Sequence, residues 1–174
     1  GILLDQGIHM LDLFRFFVGD FKDVVGMRGI TLFDVPVEDN AFVMLRTESG
    51  IMAQLHSSAS SWKHLFRLEI GCEKGYVVVS GLLSKTGSYG RETLVIGRRP
   101  AQGERGAVGN PREETVYYDT DNSWDIEVGH FEECIRENLP VEKGTSRDAL
   151  AVMEIIDRVY EGPLMQRPRV RTTT

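Results

Sequence analysis

Two short turns between β-rich segments constrain this chain most. Glu48-Ser49-Gly50 separates Glu38–Thr47 from Ile51–Ser58, and Cys72-Glu73-Lys74-Gly75 separates Leu65–Gly71 from Tyr76–Ser80. Connections this short join antiparallel neighbours, because parallel neighbours need a crossover of roughly a dozen residues or more. Further strands are expected at Val24–Phe33, Thr93–Ile96 and Thr115–Tyr118. The Gly-, Arg- and Pro-rich stretch Gly97–Glu114 reads as an exposed, mobile loop.

Helices bracket the strands. The first is predicted over Leu4–Val18, ending at Gly19, a usual C-terminal glycine. Two more close the chain. Asn122 or Ser123 can cap one, whose buried stripe is expected to be Trp124, Val128, Phe131 and Ile135, and Asn138-Leu139-Pro140 ends it. Thr145 and Asp148 read as a capping box for the other, with a stripe of Ala149, Met153, Ile156 and Tyr160 and a stop at Gly162-Pro163. The order helix, strand meander, helices predicts an α+β fold: a largely antiparallel open sheet with helices packed on one face.

At 174 residues the chain is read as a single domain, 1–174, large enough to build its core without staples. A net charge of −6 argues against nucleic acid or an anionic membrane as the main partner. No apolar run is long enough to span a bilayer. Cys72 and Cys134 offer no disulfide framework and fit reduced thiols in a cytoplasmic protein.

The opening segment, Gly1-Ile2-Leu3-Leu4-Asp5-Gln6-Gly7-Ile8-His9-Met10-Leu11-Asp12, carries the candidate chemistry. On a helix, Asp5, His9 and Asp12 fall within about 60° of one another, while Ile8, Met10, Leu11, Leu13, Phe14 and Phe17 cover the remainder. A polar stripe on a helix that is otherwise apolar must meet a polar cleft. Histidine titrates near neutrality, and a carboxylate four residues away can orient it, so Asp5 and His9 form a candidate acid/base pair. Asp12 is expected to bond backbone or to pair with Arg15. The three are metal-ligand types, but no further ligand accompanies them, and no metal site is predicted. His56, His64 and His130 read as surface or internally bonded histidines. Trp62-Lys63-His64 reads as a loop anchor, with substrate contact the lesser alternative, and Arg91, Arg98, Arg99 and Arg105 as a solvated loop.

The pattern Gly1-x-x-x-Asp5-x-Gly7-x-His9-x-x-Asp12 resembles the start of the main helix in the C-terminal domain of the glucose–fructose oxidoreductase, inositol dehydrogenase and rhizopine-catabolism oxidoreductases, the Gfo/Idh/MocA family. Val37-Glu38-Asp39-Asn40-Ala41 through Gly50 resembles the family's strand pair with its acidic residue ahead of the strand. Arg67–Gly75 resembles the next hairpin, and Phe131–Pro140 with Gly144–Tyr160 the closing helices. The resemblance implies an NAD- or NADP-dependent enzyme that transfers a hydride between nicotinamide and a secondary alcohol of a sugar, cyclitol or related polyol. It implies His9 as proton acceptor or donor, Asp5 as its partner, and homo-oligomers formed through the sheet.

Two family features are missing from this sequence. No Gly-x-Gly-x-x-Gly turn for a dinucleotide pyrophosphate occurs, and Gly103, Gly106 and Gly109 sit in a loop. The family's Glu-Lys-Pro motif is also absent, since Glu142-Lys143-Gly144 lies between the closing helices. The chain is therefore read as the substrate-binding and oligomerisation part of a longer oxidoreductase whose N-terminal dinucleotide-binding domain is absent here, and inactive by itself. The alternative is a non-catalytic binding or oligomerisation module. In either case Phe42, Met44, Met52 and Leu55 are expected to face a second subunit. The strand that usually precedes the opening motif is lacking, so an unpaired sheet edge is expected to pair with a copy or to fray.

Overall fold

The computed structural model describes residues 1–99 and 111–166. The chain divides into two compact units, one formed by Gly1–Ser60 with the chain from Pro140, the other by Ser61–Leu139. The fold is α+β with antiparallel open sheets, as the turn spacing predicted, and the strands are shared between two sheets.

The first unit opens with a π-helical turn, Leu3–Gly7, which runs directly into helix α1, Ile8–Val18. Gly19 ends α1 at φ 81°, a conformation that costs glycine little, and its N–H bonds the Arg15 carbonyl at 2.8 Å. Strands β1 (Phe21–Ile30), β2 (Asn40–Thr47) and β3 (Met52–Ser58) follow as an antiparallel meander. Along β2 the side chains alternate as the pleat requires: Ala41, Val43, Leu45 and Thr47 are buried, Phe42, Met44 and Arg46 exposed.

β1 begins and ends three residues earlier than predicted, and its end has an identifiable reason. The N–H groups of Thr31, Leu32 and Phe33 bond the Asp39 carboxylate at 2.8, 2.7 and 2.9 Å, so they are turned away from a ladder.

The second unit holds β4 (Arg67–Cys72), β5 (Gly75–Ser80), β6 (Glu92–Arg98) and β7 (Arg112–Tyr118), each antiparallel to the next, and then α2 (Ser123–Arg136). β6 and β7 extend into the predicted loop from both sides, with Arg98 opposite Arg112. Arg105 and Gly103, Gly106 and Gly109 lie outside the described residues. Arg91 is not a free loop cation: it is bidentate on Asp119 at 2.8 and 2.6 Å and stacks 4.3 Å from the Tyr117 ring centre.

The stripe predicted for α2 is exposed. Trp124, Val128, Phe131 and Ile135 are each more than half accessible, and among its residues Cys134 is the buried one. An apolar stripe records what a helix is able to bury, and a partner must still lie against it. Asp121, not Asn122, caps α2, accepting from the Ser123 N–H at 3.0 Å and its hydroxyl at 2.6 Å.

Back in the first unit, α3 (Ser146–Tyr160) starts at the predicted capping box. Thr145 Oγ1 accepts from the Asp148 N–H at 3.2 Å, and Asp148 Oδ2 accepts from the Thr145 N–H at 3.1 Å. Its buried face is Val152, Ile155, Ile156 and Val159, so Ala149 and Met153 of the predicted stripe are exposed and Tyr160 is half-buried. Both stripes have helical spacing; contact with β1 selects between them. The core joins Leu3, Leu11, Phe21, Val43, Leu45 and Leu55 to that face of α3.

The chain then forms a short strand that the sequence reading missed, β8 (Leu164–Gln166), parallel to Arg28–Ile30 of β1. The exposed edge of β1 is therefore partly covered by this chain; among the described residues, β8 reaches those three positions.

Candidate functional site

The opening motif separates into two sets of residues by their surroundings. Leu3, Gly7 and Leu11 are buried, whereas Asp5, His9 and Asp12 are exposed. Gly7 sits where a Cβ would lie 2.9 Å from the Leu3 side chain and 3.3 Å from Ser57 of β3, so a small residue lets the helix approach the sheet. Ser57 in turn donates its hydroxyl to the Ile2 carbonyl at 3.3 Å. The spacing that buries Leu3, Gly7 and Leu11 turns Asp5 and His9 outward. The wide π turn beneath Asp5 is a rare geometry that recurs at functional sites.

Asp5 and His9 share an exposed side of the helix, and among the described residues no hydrogen bond joins them. Asp5 Oδ2 accepts instead from Gln6 Nε2 at 3.0 Å. Asp12 does not pair with Arg15. Arg15 grips Asp20 through two nitrogens at 2.9 and 2.7 Å and reaches the Asp148 carbonyl at 3.2 Å, tying the end of α1 to the start of α3. Among the described residues, no group of three or more His, Cys, Asp or Glu is placed to hold a metal ion.

Beneath the exposed pair lies a buried polar layer. Glu38 and Asp39, immediately before β2, are 3 % and 2 % exposed. Glu38 Oε1 accepts from the Leu3 N–H at 3.2 Å and the Tyr160 hydroxyl at 2.8 Å, and its carbonyl accepts from the Ile2 N–H at 3.1 Å. Burial, and then the bond to Glu38, push the Tyr160 hydroxyl up to about 12. The Arg28 guanidinium lies 4.6 Å from the centre of the Tyr160 ring and donates to the Tyr160 carbonyl at 2.8 Å.

At Asp39, burial opposes ionisation. The N–H groups of Phe33, Leu32 and Thr31, with the Thr31 hydroxyl, outweigh it and hold the carboxyl well below the usual carboxylate range. Asn40 continues the layer, donating to Thr31 Oγ1 at 2.7 Å and Ser60 Oγ at 2.8 Å.

This layer was mostly hidden in the sequence. In the sequence Glu38 reads as an acidic residue ahead of a strand, while the spacing places Tyr160 on an apolar stripe. The available signal was the phenol itself, since a half-buried tyrosine needs a partner for its hydroxyl.

The remaining histidines find local partners. His56 stacks on Phe42 with ring centres 4.0 Å apart and Nε2 3.1 Å from Asn40 Oδ1. His64 Nδ1 lies 2.8 Å from Ser88 Oγ, and His130 Nε2 lies 3.6 Å from Cys134 Sγ. Trp62 is fully exposed, so it does not anchor its loop.

Residues 1–78, which include the whole motif and both acidic residues, match the family model of the GFO/IDH/MocA C-terminal domain. No curated protein sequence matches the chain. Among solved structures, the chain is similar to KijD10, a 3-ketoreductase from Actinomadura kijaniata in complex with TDP-benzene and NADP. The TM-score is 0.74 at 19% identity, covering 97% of this chain and 49% of that one. It is also similar to the UDP-N-acetylglucosamine 3-dehydrogenase GnnA from Acidithiobacillus ferrooxidans, at TM-score 0.68 and 22% identity, covering 92% and 47%. The chain thus spans just under half the length of these proteins. Its fold is that of an oxidoreductase C-terminal domain, an α+β unit with antiparallel open sheets. Over residues 1–78 it resembles the GFO/IDH/MocA C-terminal domain family.

Proposed function

We propose that this chain is the substrate-binding and proton-transfer part of an NAD- or NADP-dependent oxidoreductase. The substrate class is a sugar, cyclitol or related polyol, oxidised or reduced at a secondary alcohol carbon. One observation carries the reading: within the segment matched to the family, Leu3, Gly7 and Leu11 of the motif are buried while Asp5 and His9 stand exposed. The similar solved structures include a 3-ketoreductase bound to NADP and a nucleotide-sugar 3-dehydrogenase, which supports the same substrate class.

The described residues do not fit the cofactor itself. They contain no strand, Gly-rich turn and helix in succession to cradle a pyrophosphate, so dinucleotide binding falls to a separate domain. This chain's contribution is the proton. His9 accepts the hydroxyl proton as the alcohol carbon is oxidised and returns it in the reverse direction, and Asp5 orients the imidazole and contacts the substrate. These 174 residues alone are expected to be inactive and to show no calorimetric affinity for NAD(H) or NADP(H).

The reading is tested in the full-length protein with His9→Asn. UDP-N-acetylglucosamine and myo-inositol serve as probes, with NADP or NAD reduction followed by absorbance. The expected loss in kcat is about 10²–10⁴-fold, and a variant with wild-type turnover would falsify the assignment.

A second reading, a non-catalytic assembly module, draws on the sheet face opposite α1 and α3. There Val25, Met27, Phe42, Met44 and Met52 are all about half exposed or more. Assembly of a second copy through this face is compatible with the first reading; the absence of catalysis is not.

A further inference from the structure

Glu38 is buried, yet it has no part in the proton transfer proposed above. Its carboxylate accepts from the Leu3 N–H and from the Tyr160 hydroxyl at the end of α3. The N–H groups that begin a helical segment have no partner within it, and here no side chain at Ile2 supplies one. Glu38 supplies two, bonding Ile2 through its carbonyl and Leu3 through its carboxylate.

The same carboxyl occupies the space where a Cβ on Gly1 would stand, so it also sets how close residue 1 approaches. Gly1 then accepts the hydrogen bond from the Asp5 N–H at 3.0 Å that closes the turn. A buried carboxylate persists where donors replace its water, and here the turn beneath Asp5 supplies the Leu3 N–H while α3 supplies the Tyr160 hydroxyl.

We propose that Glu38 is a positioning residue for the Asp5–His9 pair. It fixes the turn from which Asp5 projects, and with it the start of α1 that carries His9, chiefly through the reach of its side chain. The proposal rests on the reading of His9 as the acid/base group.

Two conservative variants of the full-length protein separate reach from charge. Glu38→Gln keeps the length and an acceptor oxygen, whereas Glu38→Asp keeps the charge and withdraws the oxygen by one methylene. Amide hydrogen exchange of Leu3 and Asp5 and the steady-state kinetics with UDP-N-acetylglucosamine and myo-inositol are measured for both.

Glu38→Asp is expected to speed exchange at both amides about tenfold. It should also lower kcat about tenfold or more while KM moves less than about threefold. Glu38→Gln should recover both. Unchanged exchange in Glu38→Asp, or equal impairment of the two variants, overturns the proposal. Turnover that survives His9→Asn overturns the acid/base reading instead. If neither probe is turned over by the wild type, the exchange comparison alone decides whether Glu38 holds the turn.

Discussion

Asp39 shows how a single buried charge can shape a segment of backbone. It collects three consecutive N–H donors and a hydroxyl, which ends β1 and starts the Thr31–Val37 connection. Removing the carboxylate leaves those donors without a partner, so Asp39→Ala should cost on the order of 3 kcal/mol, measured as a urea midpoint at neutral pH.

The pH dependence at Asp39 has a defined sign. Its folded carboxyl titrates below the unfolded value of 3.8, so its contribution to stability is complete above that value and lost as pH falls through the folded one. Urea midpoints measured from pH 6 downward should therefore fall below about pH 4 in the wild type and fall less in Asp39→Asn. Tyr160 has the opposite sign. Its raised value keeps its contribution intact below the unfolded value of 10.0, and that contribution fades as pH climbs towards about 12. Tyr160→Phe should flatten the alkaline limb of the same measurement.

Among the elements, α3 makes the clearest case for packing over pattern. Its capping box was legible because Thr145 and Asp148 act within four residues of one another. Its buried face was not, because two neighbouring stripes are comparably apolar and β1 decides between them. The deciding position is Gly26, where a Cβ would lie 2.5 Å from Val159 Cγ1. Val159 is buried and cannot swing away. Gly26→Ala should therefore destabilise the fold by about 1–3 kcal/mol in a thermal or urea melt. Adding Val159→Ala should make the pair less than additive, since the two side chains contest one space.

The sheet teaches a related lesson. Phe42 and Met44 lie on its exposed face as expected, but Leu55 is buried beside Val43. Met52 and Leu55 are three positions apart on one strand, and an odd interval places two side chains on opposite faces. Val25 and Met27 take the vacant places, paired across the ladder with Met44 and Phe42. β8 escaped notice for a different reason: three residues are too few to carry a period.

For the whole molecule, the exposed face built from Val25, Met27, Phe42, Met44 and Met52 is the feature that most asks for a partner. Contiguous apolar surface is generally covered in working proteins. If a second copy covers it, Met44→Lys together with Phe42→Asp should shift the full-length protein towards monomer in sedimentation or light scattering while leaving its thermal transition nearly in place. An unchanged mass would point to a different surface for self-association. No helix among the described residues is long and apolar enough to cross a membrane.

The sequence by itself determined the local features: antiparallel strands from short turns, helix ends from glycine and the capping box, and the polar stripe of Asp5 and His9 from their spacing of four. Each depends on residues a few positions apart, where chain geometry leaves little choice. The tertiary structure decided which stripe of α3 is buried, which carboxylate begins the first helical turn, and that the Tyr160 hydroxyl closes on Glu38 across 122 positions. Such contacts are set by close packing between distant segments, and composition and period carry no record of which segment will fill a given space.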